Sequence, residues 1–169
     1  MKLAIIYDSK TDNTRQAAAW IAEGMNKVKN VEAKIFHISD IDYTFVNQTK
    51  GIVIGSPVYA TQMTADMRTW LLNAAMRLNV AGKLGGAFAT AQYTHGGAEL
   101  VIQTILTNEI AFGMLAYSGG ASKGLPVIHL GPVGVNGNVE PHNKMENYRD
   151  NFVIYGKRFA EKAVELFKD

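Results

Sequence analysis

The sequence predicts an α/β fold in which a five-stranded parallel sheet carries helices on both faces. Three observations predict it. Short apolar runs recur, rich in β-branched residues, as expected of strands buried on both faces. Between them lie longer stretches whose apolar residues return every three or four positions, the pattern of one helix face. The two kinds of segment alternate along all 169 residues without a repeat or a linker, so one domain spanning 1–169 is expected.

Leu3 to Tyr7 is the first strand. Thr14, Ala18, Ile21, Met25 and Val28 then share one face of a helix. Val31 to Ile38 alternates as a second strand, and Gly51 to Gly55 forms the third. A second helix starts near Thr64, with Met63, Met67, Trp70, Leu71, Ala74 and Leu78 on its apolar face. Leu84 to Ala89 is the fourth strand, and Ala98, Val101, Ile102 and Ile105 mark the third helix. Gly113 to Tyr117 is the fifth strand. From Gly119 to Asn138 the chain is rich in Gly and Pro and reads as irregular, with Val127 to Leu130 the candidate for a short strand extension. A last helix turns Tyr148, Phe152, Tyr155, Phe159, Ala163 and Leu166 inward.

Composition removes several functions. Seventeen Lys and Arg against fifteen Asp and Glu leave a formal charge of +2, too near neutral to point to nucleic acid or an anionic membrane. Cysteine is absent, which excludes disulfide scaffolds, iron–sulfur clusters and thiol nucleophiles. Any redox chemistry must come from a cofactor. The opening apolar run is too short for a signal-peptide core and no stretch reaches a spanning length of about 20 apolar residues, so a cytoplasmic location is expected. His37, His95, His129 and His142 show no ligand spacing, and no metal site is expected.

In a parallel sheet of this kind ligands bind beyond the carboxyl ends of the strands. After the first strand, Ser9-Lys10-Thr11-Asp12-Asn13-Thr14 leads into a helix, bringing three hydroxyls and an amide to its free N–H groups. Two readings stand for this loop: an anion site suited to a phosphate, or a polar turn that caps the helix. It lacks the glycine spacing of nucleotide and dinucleotide loops. After the third strand, Pro57, Val58, Tyr59 and Ala60 offer a fixed chain direction and a ring. Tyr59 either lies against a planar ligand or packs on a neighbouring helix. After the fourth strand, Thr90, Ala91, Gln92, Tyr93, Thr94, His95 and Gly96 bring hydroxyls, an amide and a second ring to the same crevice. A phosphate loop and two aromatic-bearing loops on one sheet edge point to a flavin mononucleotide (FMN) site.

These loops carry a resemblance. Ser9 to Thr14 resembles the flavodoxin phosphate loop. Gly55-Ser56-Pro57-Val58-Tyr59, Met67-Arg68-Thr69-Trp70-Leu71, Gly96-Gly97-Ala98-Glu99 and Gly131-Pro132-Val133-Gly134 look like the tryptophan-repressor-binding-protein family, flavodoxin-like NAD(P)H:quinone oxidoreductases. The resemblance implies a flavodoxin-like three-layer sandwich with FMN bound non-covalently. Ser9 to Thr14 would hold the phosphate, Val58 to Ala60 would border the isoalloxazine, and Ala91 to Gly96 would meet its pyrimidine end or ribityl side. Asp12 stands where flavodoxins commonly have Gly, and Ala60-Thr61-Gln62 replaces a Phe-Gly-Asn pattern. Phe112 stands where some members have a His that reaches the site.

The implied partners are NAD(P)H and a quinone-like acceptor, with Tyr59, Tyr93 and His95 shaping the acceptor pocket. A homodimer is implied too, since a neighbouring copy often completes such pockets. The alternatives are a one-electron carrier to a protein partner and a flavin-free partner-binding module. Near-neutral charge, and the lack of Gly from Pro57 to Gln62, weigh against the carrier.

Overall fold

A computed structural model describes residues 1–137, 140 and 142–168. The expected alternation is present. Strand β1 (Lys2–Tyr7) is followed by helix α1 (Asn13–Asn26), β2 (Glu32–His37), a short helix α2 (Tyr43–Asn47) and β3 (Gly51–Pro57). Then come α3 (Ala65–Arg77), β4 (Leu84–Ala91), α4 (Ala98–Ala111), β5 (Leu115–Ala116), β6 (Val133–Val135) and α5 (Arg149–Leu166). The sheet is parallel throughout, in the order β2-β1-β3-β4-β5, with β6 also paired to β4.

The strands alternate their side chains between two cores, which explains why they read as unbroken apolar runs. Leu3, Ile5, Val53 and Phe88 face α1 and α5, where Ile21, Met25, Phe152 and Phe159 meet them. Ala4, Ile6, Ile52, Ile54 and Ala87 face α3 and α4, against Met67, Leu71, Val101 and Ile105. The sheet is therefore covered on both sides, a three-layer sandwich. Helices α1 and α5 touch backbone to backbone. A β-carbon on Gly24 would come within 1.9 Å of the Val153 carbonyl, and one on Gly156 within 2.1 Å of that of Ile21.

Three sequence expectations need correction. The fifth strand is in two pieces. Only Leu115 and Ala116 of the expected Gly113–Tyr117 run pair with β4, opposite Leu84 and Gly85. The chain then leaves the sheet and returns as β6, opposite Ala89, Thr90 and Ala91. Val127 to Leu130 is not the extension: those residues lie in the excursion, and Val127 is 56% exposed. Arg158 on α5, itself nearly buried, donates to the carbonyls of Lys123, Gly124, Leu125 and Pro126 and so anchors this excursion through its backbone. Leu166 is also not inward: it is half exposed at the end of α5.

Helix α2 was not anticipated. Asp42 caps its start, accepting from the Phe45 N–H at 2.9 Å. At its other end the Lys83 ammonium donates to the carbonyls of Val46, Asn47 and Thr49 at 3.0, 2.8 and 2.7 Å. Burial pushes the Lys83 pKa down, but these carbonyls are the partners that a buried ammonium requires. Among the described residues, no helix is long and apolar enough to cross a membrane.

Candidate functional site

The strand order places the reversal of winding beside β1, so the loops after β1 and β3 face each other across a crevice. A groove of about 580 Å³ opens there, within the usual range for small-molecule sites. Thr11 and Asn13 line it from the first loop, Pro57, Val58, Tyr59, Ala60 and Thr61 from the second, and Thr90, Ala91, Gln92, Tyr93 and Gly96 from the third. Asn136, just after β6, closes the set.

The first loop is built to receive something. The Ser9 hydroxyl oxygen is buried and has no hydrogen-bond partner. Asp12 takes up left-handed backbone geometry (φ 62°) at the start of α1, and its side chain caps no N–H group. The first turn of α1 contains no acidic residue either. This 14-residue helix thus offers N–H groups that no side chain caps, beside the exposed Asp12 carboxylate. Asn136 donates to the Asn13 side chain at 3.0 Å, tying the loop to the end of β6. Beneath them the hydroxyls of Thr14 and Thr90, both buried, meet at 2.7 Å and join the first loop to the third.

The second loop is a tight hairpin. Tyr59 and Gln62 exchange backbone hydrogen bonds of 2.8 and 2.9 Å, with Ala60 and Thr61 between them at φ 47° and 68°. Two successive left-handed residues form the turn that suits a hairpin twist, and neither is Gly, so the loop is strained. Tyr59 and Tyr93 are 51% and 45% exposed, so their rings stand at the rim of the groove and are not spent on core packing.

Other expected residues lie outside the lining. Lys10 reaches sideways to Asp66 at 2.7 Å, and this bond raises the pKa of Lys10 and lowers that of Asp66. Thr94 donates its hydroxyl to Glu140, which lowers the Glu140 pKa, and also accepts from Asn143. His95 is exposed beside the groove. Thr61 and Asn136 were missed. Asn136 carries no local signal, because its partner Asn13 is 123 residues away.

The comparisons with known proteins bear on what the groove holds. The chain is 36% identical over 167 residues to a flavodoxin from Clostridium saccharobutylicum, covering 99% of this chain and all of that one. The chain belongs to the flavodoxin family. FMN is the cofactor of that family. A partial likeness, 35% over 83 residues, covers 47% of the chain and 39% of an NAD(P)H dehydrogenase (quinone) from Cupriavidus metallidurans. Among solved structures, a flavodoxin, WrbA-like protein from Agrobacterium tumefaciens superposes with a TM-score of 0.76. That structure shares the fold at 17% identity, over 97% of this chain and 98% of its own. No family model matches the chain.

The groove fits this flavodoxin cofactor. An unpartnered hydroxyl and a helix start whose N–H groups carry no side-chain cap suit a phosphate, and two rim tyrosines suit a flat ring. Asp12, the departure in the first loop, is exposed.

Proposed function

We propose that the protein is an electron carrier that binds FMN non-covalently and exchanges electrons one at a time with a protein partner. The full-length likeness to a flavodoxin carries this reading. The half-exposed rim supports it, because a ring held at the surface is open to a docked partner. When bound, FMN supplies a centre that takes up or gives out one or two electrons.

The chain's own residues supply position and charge. Thr11 and Asn13, which line the groove, and the first N–H groups of α1 would hold the phosphate, with the buried, unpartnered Ser9 hydroxyl in the same loop as a further donor. Thr14, through its contact with Thr90, and Asp12, through its left-handed backbone, would set the path of that loop. Tyr59 and Tyr93 would flank the ring, and Val58 and Ala60, which also line the groove, would help to exclude water from it. Backbone groups of Ala91 to Gly96 would meet the pyrimidine end or the ribityl side, and N–H donors at the former would favour the charge that grows on reduction.

Titration with FMN followed by reduction at controlled potential tests both halves of the proposal. Micromolar binding and two resolved one-electron steps are expected. No binding at that concentration sinks the FMN assignment, and one two-electron step sinks the carrier.

A second reading, NAD(P)H-dependent quinone reduction, is favoured by the partial likeness to a quinone dehydrogenase and by the +2 charge. A carrier that docks on a basic partner gains from an acidic surface, which this chain lacks overall. In this reading NAD(P)H and the quinone occupy the ring face in turn, with Tyr59, Tyr93 and His95 around them. Fast steady-state turnover of both substrates distinguishes it from the carrier.

A further inference from the structure

Asn136 closes the groove beside the first loop, and the residue after it is Gly137. This is the one Asn-Gly pair in the sequence. Such a pair has a chemistry of its own, because a second residue without a β-carbon lets its backbone nitrogen approach the Asn side chain. The Gly137 nitrogen, having lost its proton to water or hydroxide, attacks Cγ of Asn136. A bond forms between them, the Cγ–Nδ2 bond breaks, and Nδ2 leaves as ammonia. The cyclic imide that results takes up one water at either of its carbonyls, which leaves an aspartate or an isoaspartate at position 136. Water is the only co-reactant.

The structure leaves this pair open to the reaction. Asn136 is exposed, and its side-chain amide donates to Oδ1 of Asn13 at 3.0 Å. The attacking nitrogen is weakly engaged: the Gly137 N–H donates to the Asn143 carbonyl at 3.4 Å, longer than is usual. Nor can the fold exchange Gly137 for a slower neighbour. A β-carbon there would come within 2.1 Å of the Gln92 carbonyl oxygen, in the third groove loop. The packing that seats the end of β6 against the groove therefore requires the residue that makes Asn136 reactive.

We propose that Asn136 is a deamidation site whose conversion weakens flavin binding, and that a ligand in the groove slows the conversion. This rests on reading the groove as an FMN site. A carboxylate has no proton to donate. Conversion thus sets two acceptors face to face, unless Asn13 turns its own amide round and gives up its bond to Thr11. Asp12 is already an exposed carboxylate in this loop, and a second one next to the loop adds to the repulsion of a phosphate. Isoaspartate also lengthens the backbone by one carbon where Gly137 is wedged against Gln92. Protection has a simple cause. To cyclise, the Asn136 side chain must leave Asn13 and turn back on its own backbone, and a ligand lying against it hinders that turn.

Incubation of the native protein at mildly alkaline pH, with and without FMN, tests both parts. Peptide mass spectrometry should show a gain of about one dalton at Asn136, NH₂ having become OH, several times faster in the empty protein than in the loaded one. Asn136→Gln, whose longer side chain cyclises far more slowly, should show no such gain. The converted protein, and Asn136→Asp made directly, should bind FMN about tenfold or more weakly while melting close to the native protein. No conversion at Asn136 in the native empty protein, over a period in which the unfolded chain converts fully, overturns the site. Native FMN affinity in the converted protein and in Asn136→Asp overturns the effect on binding, and equal rates with and without FMN overturn the protection. Failure of freshly made protein to bind FMN overturns the reading of the groove, and the effect on flavin with it, whereas the mass gain reports on the site in either case.

Discussion

The Glu109 carboxyl lies directly against the backbone of Gly85, so close that a β-carbon there would come within 2.5 Å of Oε2. Glu109 is fully buried between α4 and the sheet, and neither of its oxygens has a hydrogen-bond partner. Burial pushes its pKa well above the usual carboxylate range, and the nearby Gly86 N–H offsets only part of this. The folded protein therefore holds this proton more tightly than the unfolded chain does. The sign follows: its contribution is fully present below the unfolded pKa and is lost as pH rises toward the folded one. Glu109→Gln should flatten this loss and raise Tm at pH 8 relative to the native protein, with little effect at pH 4. Thermal melts across that pH range check it, and equal slopes for the two proteins refute it.

Ser9→Ala separates site from scaffold. The Ser9 hydroxyl is buried and unpartnered, so its removal leaves stability unchanged or slightly higher. FMN binding should weaken by about 1–3 kcal/mol, roughly fivefold to 150-fold, while riboflavin binding stays within a factor of about two. Flavin fluorescence titrations read both.

The α1–α5 contact predicts a different kind of failure. An added methyl group at Gly156 meets the Ile21 carbonyl, which belongs to a helix backbone and cannot turn aside. Gly156→Ala should cost about 2–3 kcal/mol, a fall of roughly 5–10 °C in Tm. A melt within about 1 °C of the native protein would show that these helices slide apart freely.

Ala60 holds a left-handed conformation at the tip of the rim hairpin and is exposed. Ala60→Gly removes the crowding of its β-carbon and should raise stability by about 0.5–1 kcal/mol, read by urea denaturation. The same variant loosens the rim, so its one-electron potentials should shift from those of the native protein. Unchanged potentials would remove the rim strain from any part in redox tuning.

The sequence revealed those parts of the fold whose burial is one-sided or complete. Met67, Leu71 and Ala74 repeat at helical spacing because one face of α3 meets the sheet, and Leu3 to Tyr7 reads as a single run because both faces are covered. Elements shorter than a period left no such trace. Helix α2 has five residues and ends on an ammonium supplied by Lys83, which is distant in sequence. Strands β5 and β6 have two and three residues, and the β-branched Val127 and Ile128 between them imitate a strand better than either does. Of the site, the loops after β1, β3 and β4 were legible because strand ends locate them. Asn136 and the hydrogen bond from the Thr64 hydroxyl to the buried Asp8 carboxylate were not, because only folding brings their partners together.

Arg158 grips the excursion between β5 and β6 by carbonyl oxygens alone, and carbonyls are the same whatever residue bears them. The anchor is therefore indifferent to the side chains of Lys123 and Leu125, while Gly124, at φ 87°, is tied to its own backbone shape. Leu125, 86% exposed, and Val127 are relieved of any duty in fastening it. Substitutions there can accumulate and reshape this face of the molecule while the path of the chain, and the return of β6 to the groove, stay as they are.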